Sequence, residues 1–66
     1  MKLIINGEEK DFTSGLTLAA LISQLGIKGD RIAVELNRDI APRASWETIE
    51  LTEGDKLEVV HFVGGG

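Results

Sequence analysis

Three consecutive glycines, Gly64-Gly65-Gly66, follow an apolar run of β type, Leu57-Glu58-Val59-Val60-His61-Phe62-Val63. Glycine loses more backbone freedom on ordering than any other residue, so three of them at a terminus do not help a fold. They offer a slim thread, free of side chains, that ends in the α-carboxylate of Gly66. Fully extended, such a thread places that carboxylate roughly 10 Å beyond the last strand residue. It would fit a narrow channel in another protein, with Gly64 and Gly65 lining the passage and Gly66 as the reacting end. The glycines read equally as a frayed end or a cloning scar, and the tail alone leaves both readings open. The rest of the chain has little chemistry to offer. There is no cysteine and one histidine, His61. Disulfides, thiolate metal sites and a cysteine nucleophile are therefore excluded, and no pairing of nucleophile and base exists. The expected role is a substrate or partner of enzymes, not an enzyme, with no cofactor or metal bound by the chain itself.

Sixty-six residues make one small domain, able to bury only about 60% of its unfolded surface. The formal net charge is −4. That argues against nucleic acid, where binding relies on neutralising phosphates with Lys and Arg. Acidic residues crowd toward the end, at Glu47, Glu50, Glu53, Asp55 and Glu58. They keep a small domain soluble, and they also set up a field that steers it toward a basic surface. No apolar stretch approaches the roughly 20 residues that span a bilayer. Met1-Lys2 runs straight into Leu3-Ile4-Ile5, too short an apolar segment for a signal-peptide core. The expectation is a soluble, cytoplasmic protein with no membrane partner.

The elements that would position the tail follow from pattern. Lys2 to Asn6 reads as a strand, and Asn6-Gly7 is a strong two-residue hairpin signal. A second strand runs around Glu9 to Thr13, with Lys10 and Phe12 on one face, until Ser14-Gly15 breaks it. Thr17 is placed to cap a helix whose apolar stripe is Leu18, Leu21, Ile22 and Leu25, at i, i+3, i+4 and i+7. Gly26 suits the left-handed position that ends it. After a Lys28-Gly29-Asp30 turn, Arg31 to Leu36 alternates, with Ile32, Val34 and Leu36 on one face. Asn37-Arg38 turns into a short run, Asp39-Ile40-Ala41, stopped by Pro42. Arg43 to Ile49 is irregular or briefly helical, with Trp46 and Ile49 capping the core. Glu53-Gly54-Asp55 turns into the final strand, Leu57 to Val63. Its apolar residues on both parities suggest a central strand covered at least partly on both sides.

Two strands, a helix and three more strands, with the last one central, describe an α+β β-grasp fold. The expected sheet is mixed, of about four to five strands on one main helix. The first and last strands would lie side by side and parallel, so that the buried amides of the last run are satisfied and only the glycines stay outside. Residues 1–63 form the domain and 64–66 a flexible tail.

Over its whole length the chain resembles the ThiS family, the sulfur carriers of thiamin biosynthesis, which are prokaryotic ubiquitin-like proteins. The resemblance rests on Asn37-Arg38-Asp39-Ile40-Ala41-Pro42-Arg43 followed by Trp46, on Leu51-x-x-Gly54-Asp55, and on Val59-Val60-His61-Phe62-Val63-Gly64-Gly65-Gly66. It implies that a ubiquitin-activating-enzyme-like adenylyltransferase of ThiF type uses ATP and Mg²⁺ to adenylate the carboxylate of Gly66. It further implies that sulfur from a cysteine desulfurase or relay protein converts that end to a thiocarboxylate, and that a thiazole synthase of ThiG type takes the sulfur. A related carrier, such as the small subunit of molybdopterin synthase, a protein modifier, or an interaction module with an inert tail are the alternatives.

Other residues are less telling. Phe62, Val63 and the acidic set around Glu58 are candidates for partner contact, with core packing the stronger expectation for the two apolar ones. His61 reads as a partly exposed strand residue. Trp46 reads as a packing residue.

Overall fold

The computed structural model describes residues 1–27 and 31–62; the Lys28-Gly29-Asp30 turn, Val63 and the glycine tail fall outside them. Lys2–Ile5 (β1) and Glu8–Asp11 (β2) form an antiparallel hairpin, in register from Lys2 opposite Asp11 to Ile5 opposite Glu8. Its two-residue loop has φ of 50° at Asn6 and 83° at Gly7. Positive φ at both positions gives the loop a twist that matches the strands. One further bond, from the Phe12 amide to the Met1 carbonyl (2.7 Å), carries the pairing slightly past β2. Every residue of β2 is exposed, and all four are charged. This outer edge repels edge-to-edge pairing with other chains.

The helix, Leu18–Gln24 (α1), is too short to persist alone. Its ends are held by other parts of the chain. The first three amides donate to the Ile49 carbonyl (Leu18, 2.9 Å), the Trp46 carbonyl (Ala19, 3.0 Å) and the Thr17 hydroxyl (Ala20, 3.1 Å). All three would otherwise lack partners. At the other end the Ile27 amide reaches back to Ile22 (3.4 Å) and the Gly26 amide to Ser23 (3.1 Å). This closes the turn around a left-handed Gly26 at φ 72°, a conformation that costs glycine nothing. Leu18, Leu21 and Ile22 face the sheet.

Ile32–Leu36 (β3) and Asp39–Ile40 (β4) make a second hairpin. Lys56–His61 (β5) lies between β1 and β3, parallel to the first and antiparallel to the second. The sheet order is β2-β1-β5-β3-β4, the expected β-grasp arrangement with first and last strands adjacent. Leu3, Ile5, Ile32, Val34, Leu57 and Val59 meet the helix stripe in one core. A short 3-10 turn at Arg43–Ser45 delivers Trp46 into that core. The indole N–H donates to the Ala41 carbonyl at 2.8 Å, and the Arg43 guanidinium lies 5.2 Å from the ring centroid.

The structure corrects one expectation about β5. Its neighbours make it central, but only one face is covered. Leu57 and Val59 are buried, whereas Val60 is 51% and Phe62 60% exposed. A single helix covers one side of the sheet, and among the described residues no second layer lies on the other.

Two asparagine side chains then fasten β5 where its neighbours turn away. Past Ile5, the Asn6 amide group takes the place of the missing strand. Its Oδ1 accepts from the Val59 amide (2.8 Å) and its Nδ2 donates to the Val59 carbonyl (3.3 Å). On the other flank, Asn37 Oδ1 accepts from the Lys56 amide (3.0 Å) while Nδ2 donates to Asp55 Oδ1 (3.0 Å). Both asparagines have positive φ, and so does Arg38, at 75°. Asparagine tolerates that region; arginine is strained there.

Two outcomes follow for urea denaturation. Asn6→Gly keeps the positive φ but removes the amide clamp and adds freedom to the unfolded chain, so it should lower stability by about 1–3 kcal/mol and speed exchange of the Val59 amide. Arg38→Gly relieves a left-handed side chain but adds freedom to the unfolded chain, so a net gain of about 0.5–1 kcal/mol is expected.

Candidate functional site

The candidate site is the end of β5 and the surface around it. Each residue from Glu58 to Phe62 is placed by the pairing of β5 with β3, whose register runs from Leu36 opposite Leu57 to Ile32 opposite His61. The Phe62 amide continues this ladder by donating to the Arg31 carbonyl at 2.8 Å. The strand therefore keeps its direction up to the last residue before Val63. β5 lies at the centre of the sheet order and stays paired to β3 through Phe62.

Side-chain alternation splits β5 into two sets. Leu57 and Val59 point into the core, while Glu58, Val60 and Phe62 are exposed on the open face. The expectation that Phe62 packs in the core is overturned, because its parity puts it on the side no helix covers. Ala33 lies opposite Val60, half-buried, and Ile4 shows the same partial exposure on β1. Ile40, 74% exposed, pairs with Glu35 in the next strand. The open face thus carries scattered apolar residues, Ile4 near the start of β5, Ile40 beside its middle, and Val60 and Phe62 near its described end. Val63 and Gly64 to Gly66 lie outside the described residues.

Glu58 stands directly opposite Glu35 in the ladder, and both are exposed. Like charges facing each other across a ladder destabilise the pair. Among the described residues the salt bridges join Lys2 to Glu9 (3.6 Å) and Lys10 to Glu8 (4.0 Å), so neither Glu35 nor Glu58 is neutralised. The Glu35–Glu58 pair gives the open face a local negative spot that would draw a cationic group, with Lys56 two residues before Glu58 on the same side of the strand.

Nothing described resembles an active site. Among the described residues no group of three or more His, Asp and Glu is arranged for a metal. His61 is exposed and its side chain makes no hydrogen bond among them. A shallow depression of about 510 Å³ lies beside β4, lined by Leu36, Asp39, Ile40, Pro42, Ser45 and Thr48 among others. It lies toward the end of the sheet where β5 begins, since Leu36 is opposite Leu57, and its lining contains neither a histidine nor a lysine. Among the described residues no helix is long and apolar enough to cross a membrane.

The sequence pattern placed Asn6 at the end of a strand and in a turn, and did not show its grip on β5. The available signal was that both hairpins open with asparagine, a residue able to take positive φ and still present a donor and an acceptor.

Comparison with known proteins fits this geometry. Residues 3–66 match the model of the ThiS family. The chain is 47% identical over 66 residues to a thiazole synthase of Paramagnetospirillum magneticum, covering all of this chain and 20% of that protein. It therefore spans about a fifth of the length of such relatives. It is 31% identical over 65 residues to the sulfur carrier protein ThiS of Bacillus subtilis, covering 97% of this chain and 98% of that one. The crystal structure of the thiamine biosynthesis protein ThiS from Geobacter metallireducens superposes with a TM-score of 0.88 at 29% identity, each chain covered completely. By this match of nearly its whole length, and by a fold that agrees with it, the chain belongs to the ThiS family.

Proposed function

We propose that this protein is a sulfur carrier for thiazole formation in thiamin biosynthesis, with the carboxylate of Gly66 as the reacting group. The observation that carries the reading is the placement of β5. A central strand clamped on both flanks is the last described element before Val63 and three glycines in the sequence, in a chain whose described residues hold no nucleophile and base pair. Family membership and the names of the relatives support the same reading.

The chemistry explains why the carrier needs partners. A carboxylate resists attack because its charge is delocalised and oxide or hydroxide leaves poorly. An adenylyltransferase of ThiF type would let a Gly66 oxygen attack the α-phosphate of ATP, bound with Mg²⁺, and release pyrophosphate. The acyl adenylate has lost the negative charge and gained AMP as a leaving group. A persulfide sulfur from a desulfurase or relay protein then attacks the carbonyl carbon and AMP departs. A thiol cleaves the resulting acyl disulfide, becoming a disulfide itself, and leaves the thiocarboxylate. A thiazole synthase of ThiG type is the acceptor, a role supported by relatives that bear that name and contain a segment similar to this chain. Gly64 and Gly65 would thread the closed site, where any Cβ would clash. Glu58, Phe62 and Val63 would meet the partner's rim.

The test is a reconstituted mixture of carrier, adenylyltransferase, ATP, Mg²⁺ and a sulfur donor, followed by intact mass. Wild-type protein should gain the mass difference between sulfur and oxygen. Deletion of Gly66, or Gly65→Val, should abolish conversion with the thermal midpoint nearly unchanged. Normal conversion of the deletion variant would overturn the channel reading. Wild-type protein that is never activated would make the inert-tail interaction module the better reading. Glu58→Lys should slow association with the adenylyltransferase by roughly tenfold at low salt, and less at high salt, if the negative face steers encounter.

A further inference from the structure

The edge of β5 beside β1 changes character at Val59. Along β5 the odd-numbered residues turn their backbone groups toward β1, as the bond from the Asn6 amide to the Leu57 carbonyl (2.8 Å) shows. The even-numbered ones turn toward β3, as the bond from Phe62 to Arg31 shows. Ladder pairing with β1 stops at Ile5 opposite Leu57. The Asn6 side chain serves Val59 on both its N–H and its C=O, and the chain then swings away through Gly7 into β2. His61 is next in the row. Its amide and carbonyl face the side that β1 has left, and they have no partner there among the described residues. On its other flank β5 remains paired as far as Phe62.

We propose that this open step at His61 receives an extended segment of the thiazole synthase, which adds to the sheet beside β5 through main-chain hydrogen bonds. The inference rests on the functional reading above and specifies how the partner is recognised. Reach selects the occupant. Four residues, Val63 to Gly66, separate the described strand from the reacting carboxylate, and fully extended they span at most roughly 14 Å. From His61 the reach is one residue longer, at most roughly 18 Å, and any enzyme that works on Gly66 must bring its own chain within that distance. A strand added there gains affinity from backbone bonds and needs only side chains that suit its neighbours. Those neighbours are the exposed Val60 and Phe62 and the unneutralised Glu58, so the segment should be apolar with a Lys or Arg. Relatives named thiazole synthase that contain a segment like this chain favour that enzyme over the adenylyltransferase as the occupant.

The test uses isotope-labelled carrier and purified thiazole synthase. Exchange of the His61 amide should slow by about tenfold or more in the complex. His61→Pro removes the N–H on the open side without touching any bond to β3, and should weaken binding by about tenfold. His61→Ala keeps the N–H and should bind as wild type does. If binding is intact but His61 stays unprotected, or if the two variants bind alike, the inference fails alone. If wild-type carrier does not bind the enzyme at all, the functional reading falls and takes the inference with it. Protection by the adenylyltransferase only, or protection in the free protein that rises with concentration alongside dimer formation, would assign the edge to another occupant and overturn the proposal. Should the proline variant fail to fold, the exchange measurement decides by itself.

Discussion

The structure depends on the fixation of β5. Its pairing with β1 on one side and β3 on the other closes the sheet and buries Leu57 and Val59 against α1. Where each neighbour turns off, an asparagine side chain stands in for backbone. Asn37 holds the start of the strand at Lys56, and Asn6 holds its middle at Val59. The result is a last strand with a defined direction, in a domain too small to rely on a large core. If Gly66 is the reacting end, as proposed, a strand of defined direction is what precedes it.

The same economy governs the helix side. Seven residues cannot sustain a helix by local bonds. The carbonyls of Trp46 and Ile49 complete its first turn, and Trp46 is in turn held by Ala41 and flanked by Arg43. The segment expected to be irregular or briefly helical holds the short 3-10 turn at Arg43–Ser45 and caps α1. One helix then leaves the other face of the sheet uncovered, and that face carries Val60, Phe62 and the Glu35–Glu58 pair toward the tail.

What the sequence made legible was local or periodic. The Asn6-Gly7 hairpin, the Thr17 cap, the stripe from Leu18 to Leu25 and the glycine stop at Gly26 each involve neighbours within a few residues. Pairing of β1 with β5 followed from element order, since the last apolar run had to be satisfied somewhere. Two features were not legible, for physical reasons. The exposure of Phe62 depends on how many layers cover the sheet, which alternation within one strand does not encode. The Asn6 clamp joins groups 53 positions apart, so its local sequence shows a turn and nothing more. At the candidate site the glycines themselves were the signal, whereas the open backbone step at His61 required knowing where β1 ends.

The pairing of the first strand with the last also orders events during synthesis. Leu3 and Ile5 are made early, yet the strand that lies against them is the last of the domain. Until β5 has emerged, the hairpin, the helix and the β3–β4 pair lack the member that joins them, and contacts of such long sequence separation form late. A nascent chain therefore cannot complete the sheet before β5 has emerged, and a chain truncated before β5 lacks the strand that joins its two hairpins.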